Sequence, residues 1–267
     1  MYNPTRLTIA RKRNGLTMTA LAAAIEMSPR SVSAYEDGLQ PPPEVLDRIA
    51  RTLGFPVAFF SGADLDTPLT NSVSFRALSK MSAIERDRAL SQGSLALELN
   101  TWIEHRFDLP PSQLPDLSQE TDSEAAAASL RQQWRLGEGP VKNMIHLLES
   151  KGVRVYSLAV DSLNVDAYSY WHDEMPMIFL NTGKSAERSR FDAAHELAHL
   201  VLHRHARKEN TRLAEDDANR FASSFLMPRA GTIARAPRFV TVQNLIARKK
   251  FWIVSVAALN HLSLIHI

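Results

Sequence analysis

The sequence predicts an α+β protein that is mostly helical and carries one small sheet in its C-terminal half. Three observations lead to this class. Short capped amphipathic helices fill the first 60 residues, longer polar helical segments follow, and strand-like runs near residues 153–180 precede another long helix. We therefore divide the chain into an N-terminal five-helix domain over residues 1–63, a helical connector over 64–139 and a C-terminal domain over 140–267.

The composition narrows the chemistry that the chain can carry. The 267 residues contain no cysteine, which excludes disulfides and thiolate sites, so a transition metal would depend on histidine and carboxylate ligands. No apolar run is long enough to span a membrane and the N-terminus lacks a secretory pattern, so we expect a cytoplasmic protein without a membrane partner. The net charge of +2 is too small to indicate nucleic-acid binding by itself.

Capping signals divide the first 60 residues into short helices. The first helix ends at Asn14-Gly15, a pair suited to a left-handed C-cap, and Thr17 caps the second helix. Ser28 and Pro29 supply the N-cap and first-turn proline of a third helix, which runs to about residue 35. A fourth helix over residues 43–53 and a closing segment near residue 60 complete a five-helix unit.

Two of these helices are joined by a tight turn and form a helix-turn-helix pattern. The later of the two, which is the third helix of the unit, presents polar side chains near its start. In helix-turn-helix proteins such side chains meet base edges in the major groove of double-stranded DNA. Small helical domains of this geometry also dock proteins or dimerise, and that alternative stays open. The candidate DNA contacts are Ser28, Arg30, Ser31 and Ser33.

Several motifs of this region resemble the lambda-repressor-like (Xre) family of helix-turn-helix domains. The resemblance implies sequence-specific binding of double-stranded DNA, with a homodimer as the binding form. Met18 departs from the family pattern, which often has a glutamine there that contacts the DNA backbone, so that contact is not expected here. The motifs are Gly15-Leu16-Thr17, Leu21-Ala22, Ser28 to Tyr35-Glu36, and Ile49-Ala50 with Leu53-Gly54.

The middle of the chain is predicted to be helical until the hydrophobic period changes near residue 153. A proline-rich loop over 109–115 marks a hinge, and Thr121 or Ser123 caps the helix that follows it. Aromatic residues of the strands are expected to pack within the sheet, with a substrate groove as the alternative. Helices are expected over 82–105, 124–134 and 141–151, and strands over 153–158, 167–171 and 177–180.

The strongest chemical signal lies on a helix that Ser185 caps. His195 and His199 are four residues apart, which places both imidazoles on one helix face, and Glu196 lies beside them. Zinc accepts neutral imidazole nitrogen, and three protein ligands leave a fourth position for a water molecule. The pattern therefore predicts a zinc site at His195 and His199, with Glu196 as the general base of a hydrolytic reaction.

Two residues compete to be the third ligand. His205 would complete a longer histidine signature, but that signature needs a glycine where Leu202 stands. Glu215 shares a face of the following helix with small residues, so this face can pack closely against the histidine helix and bring the carboxylate to the metal. Asp216 and Asp217 point elsewhere and are weaker candidates. We expect His203 and His205 to be solvated at the helix end.

The histidine helix and its surroundings resemble the ImmA/IrrE metallopeptidases, a zincin-like family. The resemblance covers about residues 140–257 and rests on Arg190-Phe191, on the segment from His195 to Leu200, and on the segment from Glu215 to Pro228. It implies that His195, His199 and Glu215 bind zinc. Fusion to an Xre-like domain resembles phage and stress regulators in which the peptidase cleaves a repressor.

These observations lead to a DNA-binding regulator with a zinc endopeptidase domain that cleaves a repressor or antitoxin-like protein, or itself. One alternative is a transcription factor whose peptidase-like domain is a non-catalytic sensor, although a structural zinc site would not need Glu196. Another is a peptidase whose N-terminal helices recruit its substrate instead of DNA. Residues 260–267 depart from the family pattern, and we expect an altered or truncated C-terminus there.

Overall fold

A computed structural model gives the fold of the chain in two compact units. The structure describes residues 1–68, 82–158, 166–205, 211–236, 241–256 and 259, without the side chain of residue 211. One unit holds the described residues up to Asp108, and the other holds those from Leu109 onward. The region predicted as a connector contributes to both units, while the boundaries drawn at residues 63 and 139 stay predictions.

The N-terminal unit is helical and follows the predicted order of elements. A single 3-10 turn, Val57–Ser61, takes the place of the fifth predicted helix. A long helix then packs against α1, so the helix predicted over residues 82–105 belongs to this unit. The helices are α1 (Pro4–Arg13), α2 (Met18–Ala24), α3 (Pro29–Glu36), α4 (Pro43–Leu53) and α5 (Ala83–Glu104).

Local capping explains where the N-terminal helices begin and end. The Thr17 hydroxyl accepts a hydrogen bond from the backbone N–H of Ala20, and the Ser28 hydroxyl accepts one from Ser31, as the sequence predicts. Gly15 has a φ of +66°, which glycine adopts without a steric penalty, and this residue separates α1 from α2. The caps therefore set the tight spacing of α2 and α3.

Ion pairs hold α1 against two other helices. The guanidinium of Arg11 makes a bidentate contact with the Glu36 carboxylate at 2.6 and 2.8 Å, and both side chains are buried. Arg6, also buried, contacts Glu98 on α5 at 2.5 Å and donates to the Ala63 carbonyl at 2.6 Å. These contacts join α1 to the end of α3 and to the middle of α5.

The C-terminal unit begins with two helices whose starts differ from the prediction. The helix α6 (Ser123–Gln133) is capped by Asp122, whose carboxylate accepts from two backbone N–H groups, and not by Thr121 or Ser123. A carboxylate accepts more strongly than a hydroxyl there because it also meets the positive end of the helix dipole. The next helix, α7 (Met144–Ser150), starts three residues later than predicted because Asn143 caps it.

In the described part of the chain, three strands form the sheet in the order β1-β3-β2. They lie where the sequence predicts strands, although β3 begins two residues earlier than expected. Strand β1 pairs with β3 in parallel, and β2 pairs with β3 as an antiparallel hairpin. Ser169 and Ile178 are paired on the face toward the next helix, whereas Tyr168 and Phe179 stack on the opposite face. The strands are β1 (Arg154–Leu158), β2 (Ala167–His172) and β3 (Met175–Asn181).

Two long helices complete the main core of this unit. They are α8 (Ala186–Leu202), which covers β2 and β3, and α9 (Thr211–Leu226), which packs against both α8 and α6. Ala218 and Ala222 on α9 are fully buried, so small side chains let α9 approach α8 closely. Two shorter helices follow as α10 (Arg229–Ala234) and α11 (Val242–Trp252).

No helix in the described ranges is both long and apolar enough to cross a membrane. The predicted departure of residues 260–267 lies outside the described residues.

Candidate metal centre

The candidate site is built where α8 and α9 pack together. Ser185 caps α8 as predicted, since its hydroxyl accepts from the Arg188 N–H, and the helix continues without a break to Leu202. His195 and His199 are therefore one turn apart on the face that meets α9. Glu215 lies on the facing side of α9, with one carboxylate oxygen toward each of the two imidazoles.

The ligand atoms of these three side chains converge. Nε2 of His195 is 3.1 Å from Nε2 of His199, and the two Glu215 oxygens are 3.7 Å from His195 and 3.5 Å from His199. All the ligand atoms lie within 4.8 Å of one another, and the residues are half-buried. Among the described residues, this is the group of histidine and acidic side chains that could hold a metal ion.

A hydrogen bond on the far side of His195 determines which of its ring nitrogens carries the proton. Nδ1 of His195 is 3.0 Å from the amide oxygen of Asn219, one turn along α9 from Glu215. An amide oxygen carries no proton, so Nδ1 of His195 donates, and the neutral ring keeps an unprotonated Nε2 toward the site. Burial, with the neighbouring His199, lowers the pKa of His195 to about 4 and favours this neutral ring.

Glu196 lies beside the histidines but on the side of α8 that faces the sheet. Its side chain is 3% exposed, and its Oε2 atom accepts a 2.6 Å hydrogen bond from the Ser169 hydroxyl on β2. Burial raises the pKa of Glu196 to about 6, although the Ser169 hydrogen bond and His199 act in the opposite direction. A carboxyl with this pKa can exchange a proton near neutral pH.

The two histidines that follow His199 behave differently from the prediction and from each other. His203 is not solvated: it is half-buried, and its Nδ1 lies 3.0 Å from Nδ1 of His199. It stays near the site because it is the C-cap residue of α8, one turn after His199. His205 is exposed as predicted, contacts Asp116 at 2.9 Å, and is not among the converging ligand atoms.

The aromatic residues of the strands pack within the structure. Tyr168, Tyr170 and Phe179 are buried and stack on one another, which agrees with the expectation of sheet packing. The Trp171 indole donates to the Leu200 carbonyl near the end of α8. The strand pair thus supports the helix that carries the histidines.

Sequence reasoning missed the partners of the site. The sequence predicts no role for Ser169 or Asn219, although the structure places them against Glu196 and His195. Neither residue carries a chemical signal of its own, because a serine or an asparagine becomes a partner only through packing between elements. His203 did carry a signal, since it repeats the four-residue spacing of His195 and His199.

The structure places the candidate DNA contacts at the start of α3. Arg30 is exposed, and within the described part of the chain no side chain pairs with its guanidinium. The serines are already engaged: the Ser28 and Ser31 hydroxyls are 2.9 Å apart, and the Ser33 hydroxyl donates to Asp37 at 3.3 Å. Arg30 is therefore the side chain of this set with the most freedom to reach a ligand.

Comparison with protein families gives two matches in separate parts of the chain. Residues 7–60, from α1 to the 3-10 turn, match a helix-turn-helix family. Residues 148–262, which contain the sheet and the converging histidines, match a peptidase family described as the IrrE N-terminal-like domain. A comparison with curated proteins gave no match. The two matches follow one another in the order of a helix-turn-helix domain fused to an IrrE N-terminal-like domain, which agrees with the fusion that the sequence predicts.

Proposed function

We propose that the protein is a DNA-binding transcriptional regulator whose C-terminal domain is a zinc-dependent endopeptidase. The observation that carries the proposal is the convergence of His195, His199 and Glu215 beside a buried carboxylate, within a domain that matches a peptidase family. The substrate class is a repressor or antitoxin-like protein, or the chain itself. Because both this protein partner and double-stranded DNA are found in the cytoplasm, we propose that the protein acts there.

The donor set suits zinc in chemistry and in spacing. Two neutral imidazoles and one carboxylate are a common catalytic zinc set, which leaves the fourth position open. Bonds of about 2.0 to 2.1 Å in a tetrahedron separate ligand atoms by roughly 3.3 Å. The distances of 3.1, 3.5 and 3.7 Å between these atoms are close to that value. The absence of cysteine leaves this set as the natural one for the chain.

In this proposal Glu196 is the proton carrier of the reaction. A zinc ion held by the three ligands would supply a Lewis acid that lowers the pKa of a water molecule. Glu196 accepts a proton from the water molecule that attacks the peptide carbonyl and returns it to the amine nitrogen as the C–N bond breaks. A pKa of about 6 is well placed for both transfers. The Ser169 hydroxyl holds the carboxylate in one position for both steps.

The N-terminal unit supplies the second half of the proposed function. Helix α3 enters the major groove of double-stranded DNA with its N-terminal end, where Arg30 reads guanine or contacts phosphate. Ser28 caps the helix by accepting from the Ser31 N–H and so fixes the position of Arg30, while Ser33 lies one turn further along. A homodimer would place two such helices on successive half-sites.

Cleavage by the zinc-loaded protein is the experiment that tests the peptidase. The wild type and the Glu196→Gln variant are incubated with a proteome-derived peptide library, and new N-termini are counted by mass spectrometry. Only the wild type should generate them, because glutamine cannot carry the proton. The full chain is analysed in the same samples for self-cleavage. Equal cleavage by both proteins would reject Glu196 as the base, and zinc binding without any cleavage would favour the non-catalytic sensor.

A further inference from the structure

The last turn of α8 brings a third imidazole to the candidate site. The backbone N–H of His203 donates to the His199 carbonyl at 3.1 Å, so the helical spacing persists up to this residue. Its ring centroid is 5.1 Å from that of His199, and the two Nδ1 atoms are 3.0 Å apart. His203 thus meets the side of the His199 ring that points away from Glu215.

The contact between two Nδ1 atoms restricts where the protons can be. One nitrogen must donate and the other must accept, because two lone pairs or two N–H groups at 3.0 Å would repel each other. The two Nε2 atoms at 3.1 Å differ in this respect, because both would give their lone pairs to the metal. A histidine that gives its Nε2 lone pair to a metal carries its own proton on Nδ1. If His199 is a ligand, its Nδ1–H therefore donates, and Nδ1 of His203 is the acceptor.

The same arrangement occurs at the other histidine with a different acceptor. The Asn219 amide oxygen accepts from Nδ1 of His195 at the same distance, 3.0 Å. Each of the two histidines thus has an acceptor behind it and its Nε2 toward Glu215. Partners of this type orient a ligand ring and raise its basicity.

We propose that His203 is a positioning residue, which accepts the Nδ1–H of His199 and so holds that ring ready to bind the metal. This inference rests on the proposed function, since it takes His199 as a zinc ligand. His203 does not itself coordinate, because its Nδ1 is directed to His199 and it lies outside the converging group of ligand atoms.

The test compares two substitutions of His203 in the full-length protein. His203→Asn retains an acceptor, since the asparagine Oδ1 occupies the place of Nδ1, whereas His203→Leu removes it. Zinc affinity is measured by competition with a chromophoric chelator, with His205→Leu as the control at an exposed histidine. We expect His203→Leu to bind zinc roughly 10- to 100-fold more weakly than wild type. His203→Asn and His205→Leu should bind zinc nearly as the wild type does.

A spectroscopic readout separates positioning from a general packing effect. The visible absorption of the cobalt(II)-substituted protein depends on ligand geometry. The spectrum of His203→Leu should therefore differ from that of the wild type, whereas that of His203→Asn should match it. X-ray absorption of the wild-type zinc protein should count two imidazoles. Three imidazoles would overturn the inference by making His203 a ligand. Thermal unfolding of the metal-free variants checks that each one folds.

Failure of the inference and failure of the proposed function give different results. A wild type that binds no zinc overturns both. A wild type that binds zinc while His203→Leu binds it equally well overturns the inference alone. If His203→Leu does not fold, His203→Asn decides the question. This variant retains an acceptor, so a zinc affinity as low as that of His199→Ala would overturn the inference.

Discussion

The Ser169 hydroxyl donates a 2.6 Å hydrogen bond to the Glu196 carboxylate, and both side chains are buried between β2 and α8. Removing the hydroxyl by Ser169→Ala leaves a buried carboxylate without this donor. We expect the C-terminal unit to lose about 1.5–3 kcal/mol of unfolding free energy. Urea unfolding followed by tryptophan fluorescence measures this loss, since three of the four tryptophans lie in that unit.

A serine on another strand is the control for this substitution. Ser157 on β1 is exposed and bonds to the Thr182 hydroxyl at 2.8 Å. Ser157→Ala should change the stability by less than about 0.5 kcal/mol, as exposed substitutions usually do. Equal effects of both substitutions would mean that the Ser169 contact contributes nothing specific.

The buried carboxyl of Glu196 should make the stability of the metal-free protein depend on pH. Its folded-state pKa of about 6 lies above the ordinary value of 4.5, so the folded protein binds more protons than the unfolded chain between these values. The stability that this carboxyl contributes is present below pH 4.5 and is lost as the pH rises through 6. Glutamine has no such dependence. As the pH rises from 4 to 7, the unfolding free energy of Glu196→Gln should therefore increase by about 2 kcal/mol relative to that of the wild type.

Urea unfolding in the presence of a chelator measures this difference at several pH values. Carboxyl groups far from Glu196 are shared by the two proteins, so their titration cancels in the comparison. A difference between the variant and wild type that stays constant from pH 4 to pH 7 would show that Glu196 titrates at its ordinary pKa.

Zinc content should distinguish the two candidates that the sequence left open for the third ligand. After dialysis against zinc, the wild type should hold one zinc per chain by elemental analysis, and Glu215→Gln and His199→Ala should lose it. His205→Ala should retain it, because that side chain is exposed and contacts Asp116. Loss of zinc in His205→Ala, with retention in Glu215→Gln, would reverse the assignment.

DNA binding should depend on Arg30 more than on an arginine outside the turn. Binding sites are first selected from a random duplex library with the wild-type protein. Arg30→Ala should lower the affinity for the selected site by roughly 10- to 100-fold. Arg51→Ala is the matched control, since Arg51 is exposed on α4 and contacts its own helix. Failure to select any site would favour the peptidase that recruits protein through these helices.

The parts of the structure that depend on neighbouring residues could be predicted from the sequence. Thr17, Ser28 and Ser185 cap helices at the predicted positions, because a cap involves residues two or three apart. The spacing of His195 and His199 is equally local. Local rules were less reliable where several caps competed, and the carboxylate of Asp122 took the place predicted for Thr121 or Ser123.

The parts that depend on distant residues could not be read from local patterns. Ser169 and Glu196 are 27 positions apart, and a serine within a strand resembles any other strand residue. His203 was predicted to be solvated because its place at a helix end favours positive charge. Packing overrides this preference, since burial lowers the pKa of His203 to about 4 and the contact with His199 keeps it near the site.

The packing of α5 on α1 sets the length of the piece that can be studied in isolation. A fragment that ended at residue 63 would retain the helices of the family match, but it would lose Glu98 and uncover the face of α1 that α5 protects. Arg6 would then be left without its carboxylate partner. A fragment of the N-terminal unit intended for structural or binding work should therefore extend through Glu104, where α5 ends.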